Sequence, residues 1–495
     1  MRSAAYHLLF GISALAGVSP AADAESEIAK PPNVIVIVAD DLGWTDLGCY
    51  GSDLSQSPHI DRLARAGMRF TVNYSACTVC SPTRAALMTG KYPARLHITD
   101  WIPGQPPENP KLTVPDFTKR LPYEETTIAE RLHDAGYATA SIGKWHLGGP
   151  EFYPEHHGFD VNIAGTDQPQ PRPGYFAPYD IATIKPGPQG EYITDRLGEE
   201  AVRFVREHAD RPFFLYLPHF AVHTPIQGKK ELIEEYQARV RGGMRHTNAA
   251  YAAMIDSMDQ TVGRIRETLD ELGVADRTVV IFTSDNGGRI PTSSNVPLRA
   301  GKGSCYEGGV RVPLIVYWPN VTPAGAECDA PVITMDLYPT ILEMTGAGGA
   351  AKAPGDGLSL VPPLRQNGEL AQRDLFWHYP HYQHYQKEGT TPYGAIRRGD
   401  WKLIEFYDDK PAELYNLRND GGEQQNVAAT EPERVQELRQ ALHAWRSAVG
   451  AQMPTPNPNY DPAEPEHPPP PAKKVHKREI GWSQGRPAAI TRRGG

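Results

Sequence analysis

Cys80 opens the densest chemical run of the chain, Cys80-Ser81-Pro82-Thr83-Arg84-Ala85-Ala86-Leu87-Met88-Thr89-Gly90-Lys91. Ser81 is a helix-capping residue type, and Pro82, with a fixed φ and no backbone N–H, suits a first helical position. On that reading Cys80 stands just outside a helix N-terminus, where free backbone N–H groups and the helix dipole favour an anion or a developing oxyanion. Arg84 falls on the first turn, so a nucleophile at position 80 is followed by its own electrostatic stabiliser. Cys77 and Cys80 also form a Cys-x-x-Cys, the spacing of a redox dithiol or of half a zinc site. No second such pair completes a four-thiolate site, and a dithiol has no need of Pro82 or Arg84.

A second set of groups is built from oxygen donors. Asp40-Asp41 and Asp285-Asn286 supply carboxylates and an amide with no cysteine or histidine among them, a donor set that suits Ca²⁺ or Mg²⁺ better than zinc. Asp40-Asp41 also fits the plain role of capping the turn before Leu42-Gly43. Lys144, His146, His223 and Lys302 add cations and imidazoles; singly, each such side chain is commonly solvated or internally satisfied.

The elements around these residues give them a common location. Asn33 to Ala39 is a continuous β-branched run of the kind that fills a strand buried on both faces, and it ends in Asp40-Asp41. Three more apolar runs repeat the plan: Tyr137 to Ile142 leads to Lys144 and His146, Phe213 to Leu217 to His223, and Thr278 to Thr283 to Asp285-Asn286. Helical patterns lie between them, at Ile128 to Ala135, Asp195 to His208 and Thr247 to Leu272. Alternating strands and helices predict an α/β domain with a largely parallel sheet, and such sheets bind ligands beyond the carboxyl ends of their strands. After about Arg373 the pattern becomes a hairpin, Ala395 to Phe406 turning at Gly399-Asp400, then a short strand from Glu413 to Leu417. An amphipathic helix follows from Glu433 to Ala448. Beyond Met453 the chain is proline-rich and then basic, a composition that predicts an extended or disordered tail.

Composition narrows the class. The formal net charge is −9, which argues against a nucleic-acid-binding surface, since that would be basic. Arg2, the apolar stretch from Ala4 to about Val18 and Ala22-Asp23-Ala24 read as a secretory signal peptide over residues 1–24. No later segment has the ~18 apolar residues of a membrane span. Five cysteines (Cys49, Cys77, Cys80, Cys305, Cys328) are too few and too scattered for a disulfide framework. The expected product is an exported protein, periplasmic or extracellular.

The Cys-x-Pro-x-Arg core at Cys80 resembles the signature of the type I, formylglycine-dependent sulfatases of the alkaline phosphatase superfamily. Thr83 and Lys91 stand where serine and arginine are more usual in that family. Gly143-Lys144-Trp145-His146-Leu147-Gly148 resembles the second sulfatase signature, and His223-Thr224-Pro225, Gly301-Lys302-Gly303 and Asp336 with Tyr338-Pro339-Thr340 continue the pattern, which runs from Asn33 to about Val427. The resemblance implies a large alkaline-phosphatase-like α/β domain over residues 25–372, its mostly parallel sheet between helices. A small α+β subdomain with an antiparallel sheet over 373–452 and a tail over 453–495 would follow. It further implies that Cys80 is oxidised to formylglycine by a formylglycine-generating or anaerobic sulfatase-maturating enzyme. One Ca²⁺ per chain would be held by Asp40, Asp41, Asp285, Asn286 and residue 80.

The implied reaction is hydrolysis of a sulfate ester to an alcohol and inorganic sulfate, with a sulfated small molecule or glycan as partner and a carbohydrate sulfate expected rather than a simple aryl sulfate. In the family mechanism the hydrated aldehyde at position 80 attacks sulfur and His223 protonates the leaving oxygen. Lys144, Lys302 and Ca²⁺ hold sulfate oxygens, Arg84 steadies the hydrate, and His146 takes the proton that regenerates the aldehyde. Three aromatic positions, Trp101, His378 and His381, are candidates for a substrate-contacting rim or for plain subdomain packing; with His384 the histidines are spaced by threes, and Pro380 predicts a loop there. Two rival readings share most of these residues. One is a phosphodiester or phosphonate monoester hydrolase of the same superfamily, which shares the fold and similar metal ligands, although a two-metal phosphatase would want further His and Asp ligands around a serine or threonine. The other is an inactive sulfated-glycan-binding protein, which would not need the nucleophile.

Overall fold

The structure is a computed structural model that describes residues 1, 31–105, 107–185, 187–348, 355–383, 385 and 391–464. The segment read as a signal peptide, His384 and the tail beyond 464 lie outside the described residues. Eight strands form the central sheet: β1 (Asn33–Ala39), β2 (Met68–Phe70), β3 (Ala138–Ile142), β4 (Val161–Ile163), β5 (Phe213–Pro218), β6 (Thr278–Ser284), β7 (Leu314–Tyr317) and β8 (Ala326–Cys328), in the order β8-β2-β7-β6-β1-β5-β3-β4. Only β7 runs against its neighbours, so the sheet is mostly parallel, as the alternation of strands and helices predicts.

β1 is central because both its faces are apolar. Ile35, Ile37 and Ala39 enter one core with α1 (Pro58–Ala66), α4 (Ile193–Glu207) and α5 (Ala249–Glu271). Val34, Val36 and Val38 enter the opposite core with α2 (Cys80–Thr89), α3 (Ile128–Asp134) and α6 (Leu337–Thr345). Two-sided burial is what an uninterrupted β-branched run requires. α3 starts on a capping box, in which the Thr127 hydroxyl accepts from Glu130 N–H at 3.1 Å while Thr127 N–H donates to the Glu130 carboxylate at 2.7 Å. These bonds satisfy two otherwise orphaned donors.

A second, four-stranded antiparallel sheet contains β9 (Asp374–Tyr379), β10 (Tyr393–Arg398), β11 (Trp401–Phe406) and β12 (Glu413–Asn416) in sequential order. Gly399, at φ +57°, makes the β10–β11 turn, where a left-handed residue matches the twist of a two-residue hairpin. α7 (Pro432–Val449) lays Leu438 and Leu442 on Ile396, Leu403 and Leu414. Buried polar links join this sheet to the main domain. Lys402 sits between Glu307 and Glu423 at 3.0 and 2.9 Å, Trp377 Nε1 donates to Ser75 O at 3.0 Å, and the Tyr379 hydroxyl donates to Asp100 at 2.6 Å. Part of the proline-rich tail is docked on the main domain: Thr455–Pro456 pairs with Leu112–Thr113.

Candidate active site

Four neighbouring parallel strands, β3-β5-β1-β6, deliver the polar groups to one edge. Lys144 and His146 follow β3, His223 follows β5, Asp40 and Asp41 follow β1, and Asp285 and Asn286 follow β6. The backbone ladder continues past the strand ends: Asp40 N–H donates to Ala221 O at 2.9 Å, Lys144 N–H to Pro218 O at 2.7 Å and Asp285 N–H to Ala39 O at 3.2 Å. Asp41 and His146 sit at φ +62° and +60°, a region L-residues enter rarely and where held strain marks functional positions. Gly143 allows the turn at φ +130°, because a Cβ there would lie 2.0 Å from Pro218 O.

The charges assemble into buried pairs. Lys144 Nζ lies 2.7 Å from Asp40, Lys302 Nζ 2.6 Å from Asp41, and Arg84 Nη2 2.7 Å from Asp285. Arg84 also donates to Lys144 O at 2.9 Å, fixing the loop that carries His146. Burial presses the Lys302 ammonium toward neutrality, but Asp41 first, then Tyr385, Cys80 and Asp40, together outweigh it and raise the pKa. Burial likewise opposes ionisation of Asp41, and Lys302 with His223 reverses the effect, holding that carboxyl well below its usual range.

Cys80 is the first residue of α2, with Val79 in the cap position. This corrects the expectation that Ser81 caps the helix. Its hydroxyl instead donates to His146 O at 2.9 Å and accepts from Ile102 N–H at 3.1 Å, tying the helix start to two loops. Cys80 Sγ lies 3.3 Å from His146 Nδ1. His146 Nε2 faces the Ile102 carbonyl, which can only accept, so Nε2 carries the proton and Nδ1 presents a lone pair to position 80. Burial, then Lys144, holds the His146 pKa well below the ordinary imidazole value, and burial pushes the Cys80 thiol up.

Three acceptor atoms in this cluster are buried without a partner: Asp40 Oδ1, Asp41 Oδ2 and Asn286 Oδ1. Orphaned oxygens are costly, and together they fit a hard cation. His223 also approaches this cluster, its Nε2 being 3.7 Å from Asp41 Oδ2, and ligand atoms of Asp40, Asp41 and His223 lie within 4.8 Å of one another. Burial raises the Asp40 pKa to about 7 despite Lys144; a cation would favour its charged form. His223 donates through Nδ1 to Thr224 O at 2.8 Å, and burial, followed by Lys302, lowers its pKa to about 3.

Residues 32–347 match the family model described as Sulfatase, well over half of the chain. The chain belongs to the sulfatase family. Residues 301–448 of this sulfatase also match the model described as N-sulphoglucosamine sulphohydrolase, C-terminal. A protein described as sulfatase from Formosa agariphila is 33% identical over 88% of this chain and 92% of its own length. Human arylsulfatase A is 32% identical over 83% of this chain and 87% of its own. The crystal structure of Ps i-CgsB in complex with k-i-k-neocarrahexaose has 31% sequence identity and a TM-score of 0.71, covering 84% of this chain and 93% of that one.

Not every candidate residue of this sulfatase reaches the cluster. His378 is buried in β9, its ring bonded to the Tyr407 hydroxyl at 2.6 Å and to Gln452 O at 2.9 Å. His381 is buried against Thr99, Phe117 and Tyr379. Of the two roles open to these histidines, the structure gives both subdomain packing, which corrects a rim assignment, and β9 extends to Tyr379 where a loop was expected. Trp101 is partly buried beside Ile102, close to the His146 contact. Three residues near the site carry no sequence signal. Ile102 acts through its carbonyl, Asp100 is a buried carboxyl that burial raises to about 7, and Tyr385 has its ring centroid 5.1 Å from Lys302 Nζ. Only the length of chain between them and the motifs, folded back by the sheet, brings them close.

Proposed function

We propose that this sulfatase hydrolyses a sulfate ester of a carbohydrate, using formylglycine made from Cys80 and one Ca²⁺ held by Asp40, Asp41, Asp285 and Asn286. The observation that carries the reading is the 3.3 Å contact between position 80 and His146 Nδ1, set at a helix start among three buried cation–carboxylate pairs. The neocarrahexaose bound to the solved relative Ps i-CgsB favours a carbohydrate substrate. Oxidised to formylglycine, residue 80 would supply a hydrated aldehyde as nucleophile toward sulfur. Bound Ca²⁺ would supply Lewis acidity and charge neutralisation at the sulfate oxygens.

The chain's own residues do the rest. Lys144 and Lys302 attract and orient the sulfate group, and Arg84 keeps Asp285 and the His146 loop in register. His146 Nδ1 accepts a proton at residue 80, which its neutral, Nε2-protonated form is ready to do. His223 Nε2 is the proton donor to the departing sugar oxygen; a bound anion that offsets Lys302 and Lys144 raises its pKa toward that task. Export to the periplasm or beyond and maturation by a formylglycine-generating or anaerobic sulfatase-maturating enzyme complete the proposal. Among the described residues no helix is long and apolar enough to cross a membrane.

Protein coexpressed with a maturation enzyme should release inorganic sulfate from sulfated saccharides and from 4-nitrophenyl sulfate. It should lose this activity with a Ca²⁺ chelator, and regain it on adding Ca²⁺. A preference for phosphate diesters or phosphonate esters in the same assays would overturn the reading.

A further inference from the structure

The three cations nearest the site each have a carboxylate of their own: Arg84 with Asp285, Lys144 with Asp40 and Lys302 with Asp41. Arg289 differs. It directly follows the Asp285–Gly288 turn, and the turn is locked to the Lys302 loop, because Gly288 O accepts from Lys302 N–H at 3.1 Å and from Asn295 Nδ2 at 2.8 Å. Asn295 Nδ2 also donates to Ala300 O at 3.0 Å. The Arg289 guanidinium lies 5.9 Å from the centroid of the Tyr385 ring, and Lys302 Nζ lies 5.1 Å from the same centroid. One aromatic ring therefore links the sulfate-facing lysine to a second cation.

Among the described residues no carboxylate forms an ion pair with Arg289, and its Nε–H is shielded from water with no acceptor. Its side chain is only partly buried, so the fork is reachable from outside while one donor is already desolvated. A guanidinium in that condition is incomplete until a carboxylate or sulfate oxygen reaches it. Each neighbouring cation shares its charge with a carboxylate, Asp40, Asp41 or Asp285, whereas Arg289 has none among the described residues.

Resting on the sulfatase reading above, we propose that Arg289 forms a second anion subsite across Tyr385 from Lys302, binding a further sulfate or carboxylate on the same saccharide. The substrate is then a polyanionic glycan, with one sulfate ester in the reacting position and another acidic group on a nearby position or ring. Lys302 reads the group that leaves, and Arg289 reads the group that stays.

The test uses the full chain carrying Cys80→Ala, which binds without turnover. Titration calorimetry compares a disaccharide with one sulfate ester, the same disaccharide with a second sulfate on the neighbouring ring, and its counterpart with a uronate there. Arg289→Gln should weaken the doubly charged ligands by roughly ten- to hundredfold, the span of a charge-assisted hydrogen bond, and the singly charged one by a much smaller factor. Arg289→Lys, which keeps the charge without the fork, should recover part of the loss and serves as the second variant if the glutamine protein folds poorly. The doubly charged ligand with the larger Arg289 dependence identifies the anion. Equal losses on all three ligands, or no preference for two charges over one in the parent protein, would overturn the subsite. Matured wild-type enzyme is assayed in parallel on 4-nitrophenyl sulfate; failure there together with Arg289-dependent binding would sink the hydrolase reading and leave the subsite standing.

Discussion

At the scale of single residues, the site is a set of charges that stabilise one another only in their full complement. Lys302 and Asp41 are both buried and 2.6 Å apart, so truncating one leaves the other without its counter-charge. Lys302→Ala should lower kcat on any sulfate ester by about 10²- to 10³-fold, the usual loss on removing a preorganised electrostatic group. It should also destabilise the metal-free protein by about 3–5 kcal/mol in urea denaturation, since Asp41 stays buried and unpaired. Retention of wild-type kcat would contradict the role given to Lys302. These residues were legible in the sequence because each ends an apolar run or sits in a short motif. Arg289 and Asp100 were not: nothing local distinguishes an arginine after Gly287-Gly288, or an aspartate before a tryptophan, until the chain folds back on itself.

At the scale of elements, strand ends and helix starts do the positioning. The β-branched run of β1 and its two neighbours could be read directly, because two-sided burial leaves few alternatives. The α2 start could not be read to the residue. Ser81 is a good cap by type, but the hydrogen bonds offered by His146 O and Ile102 N–H compete for its hydroxyl and win, moving the helix start back to Cys80. The turn after β3 tests the positioning claim. Gly143→Ala would place a Cβ 2.0 Å from Pro218 O at a φ of +130°, so the loop must shift and carry Lys144 and His146 with it. The variant should lose more than about 1 kcal/mol of stability together with most of its kcat. Stability loss with undiminished kcat would show that the turn does not hold the two side chains in place.

At the scale of the whole molecule, the antiparallel sheet docks on the main domain through buried polar contacts at Ser75, Asp100 and Glu307, and the His381 bond to Thr99 lies in the same region. Burial, followed by His378, lowers the His381 pKa to about 3, against an ordinary value of 6.5. The unfolded chain therefore takes up a proton near pH 6.5 that the folded protein refuses, and the stability from neutral His381 is complete above that pH and lost as pH falls toward 3. His381→Gln removes this linkage. Between pH 6 and pH 5, wild type should lose roughly 1 kcal/mol more stability than the variant; equal losses in urea denaturation would contradict the packed, neutral state. The two-domain plan and its hairpin followed from periodicity, whereas the inward face of His378 and His381 depends on partners from distant parts of the chain, such as Gln452 and Thr99. Everything proposed for the reaction rests on the chemical state of position 80. Mass spectrometry of the tryptic peptide Phe70 to Arg84, from protein made with the maturation enzyme, should show an aldehyde at residue 80 in a fraction that rises and falls with sulfate-releasing activity. A preparation that hydrolyses sulfate esters at full rate while this peptide carries only thiol would contradict the account.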